Sequence, residues 1–175
     1  MTPTPKCPAC GSDEVKTESG RHRFTASGLD NVWLTSVPFA VCETCGERTM
    51  RLPDPVGIMK CIGEEVITTP GPLSGKEIRF LRKSLFLKSG EFADLIGVTR
   101  ATVSRWENGE TSPDTPNDRL IRLAYANKVN LGEATIARLL ENFQKKEAVR
   151  KSGKSLDYFI RIQEPGTARQ CDPAH

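Results

Sequence analysis

The chain has 175 residues, of which 37% are hydrophobic and 27% are charged, and its formal net charge is +3. No apolar run approaches the roughly eighteen residues that a membrane-spanning helix needs, and the first residues lack the basic and apolar stretches of a signal peptide. These features argue against a membrane protein and predict a cytoplasmic, globular chain of one ordinary domain or two small ones.

Charge is unevenly distributed along the chain. Residues 1–70 carry 7 Lys/Arg and 9 Asp/Glu, whereas residues 71–151 carry 15 Lys/Arg and 10 Asp/Glu. A basic excess in the second half is compatible with phosphate binding, although the solvated faces of ordinary helices have a similar composition.

Four of the six cysteines form two copies of one motif, Cys-x-x-Cys-Gly, at residues 7–11 and 42–46. In a reducing cytosol, paired cysteines favour metal ligation over disulfide formation. Four thiolates can surround one ion tetrahedrally with no open coordination position. The pattern therefore predicts one structural zinc ion per chain on Cys7, Cys10, Cys42 and Cys45, with iron as an open alternative.

The 31 residues between the two cysteine pairs alternate apolar residues with turn formers, which predicts a small β-sheet and thus a zinc-ribbon-like domain over residues 1–52. Outside the motifs, Cys61 and Cys171 are expected to be packed or unreactive thiols. His22, which lies between two arginines, is expected to be a surface residue.

A helix start is predicted at Asp54-Pro55, because an Asp cap followed by proline at the first helical position is a typical N-terminus. This linking helix should end in residues 68–72, where two prolines and a glycine interrupt it. We therefore expect a helical linker over residues 53–72. The last segment, residues 148–175, is mostly polar and is predicted to be a flexible C-terminal tail.

Residues 73–147 show helical periodicity and are predicted to form an all-α, five-helix domain. Ser74 and Glu77 form a capping box at its start. Within it, residues 91–109 fit a helix-turn-helix, since Ala93 is small where two helices cross and Gly97 lies at the turn between them. The whole chain is thus expected to be α+β, a small sheet followed by helices.

The second helix of this motif should start after Thr99 and present polar side chains to DNA. Arg100 and Arg105 occupy the positions that reach base edges, and arginine pairs well with guanine O6 and N7. Ala101 is predicted to lie close to a thymine methyl group. Phosphate contacts are expected from Thr102, Ser104 and the backbone of Asn108.

The two halves together resemble the MqsA (YgiT) type of zinc-finger and helix-turn-helix antitoxin over residues 6–127. This resemblance rests on Cys7-Pro8, on Val37-Pro38 before the second cysteine pair, and on the order of the two modules. The helical half is also similar to the Cro/C1 (Xre) class of repressors, with a lambda-repressor-like fold. That similarity rests chiefly on the stretch Val-Ser-Arg-Trp-Glu-Asn-Gly at residues 103–109.

The resemblance implies a homodimer that binds double-stranded, palindromic operator DNA with its helical domain. It also implies a small ribonuclease toxin held by the metal-binding domain. At the start of the motif's first helix, where the repressor class has Thr or Ser followed by Gln, this chain has Lys88 and Ser89. Ser89 is therefore included among the DNA-contacting residues, with an altered phosphate contact.

The sequence allows three functions to be compared. An autorepressing antitoxin of a type II toxin-antitoxin system is favoured, and a free-standing transcriptional regulator with no toxin is the alternative. An enzyme is disfavoured because the sequence offers no nucleophile motif, no phosphate-binding glycine loop and a closed metal site.

Overall fold

The computed structural model describes residues 6–50, 52, 54–144, 157–162 and, for the backbone alone, 171–173. Its strands are β1 (Val15–Arg23), β2 (Val32–Cys42), β3 (Arg48–Met50), β4 (Tyr158–Ile162) and β5 (Cys171–Pro173). Its helices are α1 (Pro55–Thr68), α2 (Gly75–Ser84), α3 (Ser89–Ile96), α4 (Arg100–Glu107), α5 (Thr115–Lys128) and α6 (Glu133–Gln144). The expected α+β class, a small sheet followed by five helices after the linking helix, is confirmed for the described residues.

β2 is the central strand of the sheet. It pairs with β1 in antiparallel fashion along one edge. The other edge is shared, since β3 pairs antiparallel with Phe39–Val41 and β4 pairs parallel with Val32–Thr35. β2 therefore has a pairing partner near both of its ends.

The strand β4 corrects one expectation from the sequence. Residues 148–175 are predicted to be a flexible tail, and this is wrong for Tyr158–Ile162, which form a strand of the sheet. Tyr158 and Ile160 are buried, and the Tyr158 hydroxyl donates a hydrogen bond to the Glu77 carboxylate at the start of α2. Its side chains at alternate positions are buried next to β2, so this segment belongs to the core.

The helices start where local sequence signals place them. Asp54 accepts a hydrogen bond from the Gly57 N–H at 2.9 Å, and Pro55 follows in the first turn of α1. At α2, the Ser74 and Glu77 side chains form the complete capping box. These side chains pair backbone N–H groups that have no partner inside the helix, which fixes the first residue of each helix.

The helix α1 lies at the centre of the molecule. Ile58, Ile62 and Val66 are buried in a cluster that also contains Val32 and Leu34 of the sheet. The same cluster continues into α2, α3, α4 and α5. The segment expected as a linker therefore contributes core residues between the sheet and the helices, while the domain boundaries themselves stay a prediction.

A buried arginine joins the end of α1 to α5. The Arg122 guanidinium donates to the Asp118 carboxylate at 2.7 Å and to the carbonyl oxygens of Ile67, Thr69 and Gly71 at 2.6–2.9 Å. Asp118 in turn accepts from the Leu73 N–H at 2.7 Å. We call these contacts the Arg122 network. They pair one carbonyl group in the last turn of α1 and two in the residues that follow it, and they hold the segment between α1 and α2 against α5.

Candidate metal centre and nucleic-acid interface

The two cysteine motifs fold into matching turns. The Gly11 N–H donates to the Cys7 carbonyl and the Gly46 N–H donates to the Cys42 carbonyl, both at 2.9 Å. Both glycines have left-handed backbone, with φ of 77° and 75°. Glycine adopts this conformation without a steric penalty, which explains why each motif ends in glycine.

The turns bring the four sulfur atoms together. All four Sγ atoms lie within 4.8 Å of one another, and the Cys7–Cys45 and Cys10–Cys42 pairs are each 3.6 Å apart. A tetrahedron with metal–sulfur bonds of about 2.3 Å has edges of about 3.8 Å. The arrangement therefore fits a four-coordinate structural metal ion on the four predicted ligands.

The environment of the sulfurs favours a bound cation. The backbone N–H of Cys45 donates to the Cys42 sulfur and, with the N–H of Thr44, lowers the pKa of that thiol to about 6. The backbone N–H of Glu47 favours the Cys45 thiolate, yet the neighbouring Cys10 sulfur and burial raise the pKa of Cys45 to about 12. Without a cation the cluster would therefore hold only part of its possible charge, because neighbouring thiolates repel one another.

The side-chain polar contacts around the sulfurs described below lie at the surface. The hydroxyls of Ser12 and Thr44 are 2.8 Å apart, and Thr44 donates to the Glu14 carboxylate at 3.0 Å. Lys16 and Glu43 form an exposed ion pair nearby. His22, expected on the surface, is half-buried in β1, opposite Leu34 of β2. The half-buried Cys61 lies in α1, whereas the side chain of Cys171 lies outside the described residues.

The helix-turn-helix is formed by α3 and α4. Gly97 ends α3 with a φ of 79°, and Thr99 caps α4 by accepting a hydrogen bond from the Thr102 N–H at 3.1 Å. Val103 and Trp106 face the core of the helical half. The opposite face of α4 exposes four of the predicted contact residues, Arg100, Ala101, Ser104 and Arg105.

Thr102 and Asn108, two other predicted contact residues, already make contacts within the protein. Thr102 is half-buried and its hydroxyl is 2.8 Å from that of the exposed Thr99. The Asn108 N–H already donates to the Ser104 carbonyl at 3.0 Å, because Asn108 ends α4. A phosphate contact through that N–H would have to replace this hydrogen bond, whereas the exposed amide NH₂ of Asn108 remains available as a donor.

An arginine network that the sequence analysis missed fixes α4 on α2. The Arg82 guanidinium makes two hydrogen bonds with the buried Glu107 carboxylate, at 2.6 and 2.9 Å. Arg79 donates to the Asn108 side-chain oxygen at 2.9 Å. The two arginines are three residues apart on the predicted first helix, but nothing local in the sequence identifies their partners.

Ser89 lies beside the start of α4. It is half-buried at the first position of α3, and together with Lys88 and Arg100 it lines a groove of about 570 Å³. The N-terminus of α3 opens into this groove. Arg82 is a third cationic side chain in its lining, and the carboxylates of Glu91 and Asp94 lie next to it. N–H groups at the start of a helix are donors suited to a phosphate group.

A protein-family model described as the antitoxin component of a bacterial toxin-antitoxin system, MqsA, matches residues 5–133. The chain belongs to the MqsA antitoxin family. The resemblance inferred from the cysteine motifs and the helix-turn-helix is thereby confirmed. In this MqsA family member, the matched segment contains both cysteine motifs, α1 and all of α2–α5.

The chain is also similar to a second group of proteins. The HTH-type transcriptional regulator YiaG of Escherichia coli (strain K12) is 36% identical over 64 residues, which are 37% of this chain and 67% of YiaG. YiaG of Escherichia coli O157:H7 gives the same values. Among the described residues of this MqsA family member, no helix has both the length and the apolar character needed to cross a membrane.

Proposed function

We propose that this MqsA family member is a sequence-specific DNA-binding regulator that serves as the antitoxin and autorepressor of a toxin-antitoxin operon. The main support for a DNA-binding role is the exposed face of α4, on which Arg100 and Arg105 lie in solvent beside Ala101 and Ser104. Such a face is suited to the major groove, in which arginine discriminates guanine. The phosphate groups would be met by Ser89 and by the donors at Thr99, Thr102 and Asn108.

The ion in the cysteine site is proposed to be zinc, one per chain. Its coordination sphere is filled by four thiolates, so its contribution would be to hold the two cysteine turns together rather than to support chemistry. Elemental analysis of the purified protein should give one zinc per chain. One iron per chain with thiolate-to-iron absorption would contradict the assignment.

The proposed DNA-binding form is a homodimer on a palindromic operator. Leu120 and Leu123, three residues apart on α5, are both partly exposed, and such apolar side chains are typical of association surfaces. Two copies related by a two-fold axis would place two α4 helices about 34 Å apart on one face of DNA. Leu123→Lys should reduce the dimer fraction in sedimentation equilibrium, whereas Lys128→Gln should not.

The DNA-binding role is tested with the promoter DNA upstream of the protein's own gene. Arg105→Ala should weaken binding by roughly 1–3 kcal/mol, because one bidentate base contact is lost. The matched control is Arg21→Ala, which removes an exposed arginine from β1 on the sheet. Fluorescence anisotropy titrations at a fixed salt concentration measure both variants, and equal losses for the two would overturn the assignment of α4.

The toxin partner is tested genetically and biochemically. A small basic reading frame next to this gene should be toxic when expressed alone and harmless when expressed together with this protein. Its product should co-purify with the metal-binding half of the chain. Similarity over 64 residues to the transcriptional regulator YiaG favours a free-standing regulator as the second candidate. Absence of such a reading frame would select that candidate.

A further inference from the structure

An open cleft of about 920 Å³ lies on the side of the molecule formed by α1 and α2. The turn at residues 26–28 before β2 and the end of α5 complete its walls. Its volume lies within the range of small-molecule binding sites, which is about 300–1,000 Å³. Neither the cysteine site nor the exposed face of α4 contributes a residue to its described lining.

The lining of the cleft contains apolar side chains that the fold leaves exposed. Phe80 is buried in its wall, and Met59 and Leu85 are half-buried there. At the rim, Val56 is 79% exposed and Phe86 is 94% exposed. Two large apolar side chains that face water beside a cleft are typical of a site that contacts an apolar ligand.

The backbone at Phe86 is strained. Its φ is 57°, which is uncommon for a bulky residue and unfavourable without compensation. The conformation ends α2: the Phe86 N–H donates to the Lys83 carbonyl at 2.9 Å and the Leu87 N–H donates to the Arg82 carbonyl at 3.3 Å, a pattern in which glycine is usual. Because the chain turns at this point, the Phe86 ring stays exposed beside the cleft.

Positive charge surrounds the apolar surface. Among the described residues that line the cleft, five are cationic and none is acidic: Lys60, Lys76, Arg79, Lys83 and Lys128. Lys76 pairs with Asp30, and Arg79 pairs with Glu107 at the end of α4. No ion pair within the described part of the chain involves the other three lysines. Their charge is therefore available to an anionic ligand.

Ser84 supplies an additional polar group. Its side chain lines the cleft, and its buried hydroxyl oxygen has no hydrogen-bond partner among the described residues. A buried hydroxyl without a partner is costly, so such groups usually pair with a ligand or with another polar group.

We propose that this cleft binds a small apolar molecule that carries a carboxylate. The apolar part would cover Met59, Leu85 and Phe86, and the carboxylate would pair with the lysines at the rim and accept a hydrogen bond from Ser84. The proposal is independent of DNA binding.

Two other occupants fit the charge of the cleft less well. A second copy in a two-fold contact would place the same basic rim against itself, which is repulsive. Residues 145–156 of the chain itself contain five Lys/Arg and one Glu, so they also carry the wrong sign.

The test uses the full chain and isothermal titration calorimetry with sodium dodecanoate and 1-pyrenebutyrate, each below its micellar concentration. At least one of the two carboxylates should bind saturably with one molecule per chain. Dodecyltrimethylammonium, whose alkyl chain is longer by one carbon and whose charge is opposite, should bind at least tenfold more weakly than dodecanoate. Lys83→Gln/Lys128→Gln should weaken carboxylate binding at least tenfold. The control Arg21→Gln/Arg161→Gln removes the same charge outside the cleft and should leave the affinity unchanged.

Two further variants separate binding from folding. Phe86→Gly removes the exposed ring and relieves the unfavourable φ, so carboxylate affinity should fall while the melting temperature stays the same or rises. Ser84→Ala removes the unpaired hydroxyl and should have the same pair of effects. The proposal is overturned if neither carboxylate binds saturably, if the ammonium compound binds as well as dodecanoate, or if the two double variants behave alike. Binding of an acidic amphipathic peptide without binding of either carboxylate would also overturn it and would identify a protein-docking groove.

Discussion

The cysteine end of the sheet and the junction between α1 and α5 are stabilised by different kinds of contact. Around the four sulfurs, most side chains are exposed, and the polar contacts near them are surface hydrogen bonds and ion pairs. Such surface pairs contribute about 0–1 kcal/mol each. At the junction, the Arg122 side chain is only 4% exposed and its guanidinium reaches four acceptors.

The cysteine end and the junction therefore differ in what each needs in order to stay folded. We expect the cysteine end to depend on a bound metal ion, whereas the junction depends only on the chain's own residues. The Tyr125 side chain adds to the junction, since it is almost fully buried and packs against Gly63 of α1. Burial raises the pKa of its hydroxyl above the usual value. We therefore expect that one end can unfold while the other stays intact.

Removal of the metal ion should have the largest effect. Binding free energy at such a site is folding free energy, on the order of 10 kcal/mol in small metal-binding peptides. Chelation should abolish amide protection in residues 7–12 and 42–47. Val32 and Leu34 should stay protected, because they are buried in the cluster that also contains α1. Hydrogen exchange followed by mass spectrometry measures both segments.

The matched variants for this experiment are Cys10→Ser and Cys61→Ser. Cys10→Ser should reproduce the effect of chelation, whereas Cys61→Ser, in α1, should retain both the metal and the protection of the two turns. Full protection of the turns in metal-free protein would show that hydrogen bonds and packing alone keep them folded. The cysteine end would then not differ from the junction in its need for a metal ion.

Disruption of the Arg122 network is expected to have the next largest effect. Arg122→Ala leaves the Asp118 carboxylate and three carbonyl groups buried without their partner, a change that typically costs about 3–5 kcal/mol. Urea unfolding of the metal-loaded protein measures the loss. The control is Arg119→Ala, which removes a neighbouring exposed arginine that donates to the Phe143 carbonyl and lies over the Phe143 ring. Similar unfolding free energies for the two variants would contradict the structural role assigned to Arg122.

Local sequence signals were sufficient to locate the two cysteine turns and the two helices of the helix-turn-helix. Each cysteine pair is followed by a glycine that allows the turn to form. Gly97 marks the end of α3, and Thr99 marks the start of α4. Each of these signals acts within a few residues, so it is visible without knowledge of the fold. The DNA contacts of individual residues stay predictions, since they depend on a partner.

Contacts between distant segments could not be predicted in the same way. β4 pairs with β2 in parallel, and its short apolar stretch within a polar segment gives no indication of which strand it joins. The acceptors of Arg122 are mostly backbone carbonyls, which every residue possesses and no side-chain pattern reveals. The cleft combines residues from four segments that are distant in the chain, so neither its volume nor its charge is apparent from the sequence.

Gly63→Ala is expected to have the smallest effect, and it tests how closely α1 packs against α5. A Cβ atom at this position of α1 would lie 1.9 Å from the Tyr125 hydroxyl oxygen, so α1 or α5 would have to move. Overpacking of this kind costs about 1–3 kcal/mol, which outweighs the gain of up to about 1 kcal/mol that alanine brings to a helix interior.

Gly90→Ala is the matched control within α3, where a Cβ atom would meet nothing within 4 Å. There the helix propensity acts alone, so the unfolding free energy should rise by about 0.5–1 kcal/mol. The two substitutions therefore have the same chemistry and opposite expected signs. A stabilising Gly63→Ala would mean that α1 and α5 are not in close contact at this point, and the junction would then rest on the Arg122 network alone.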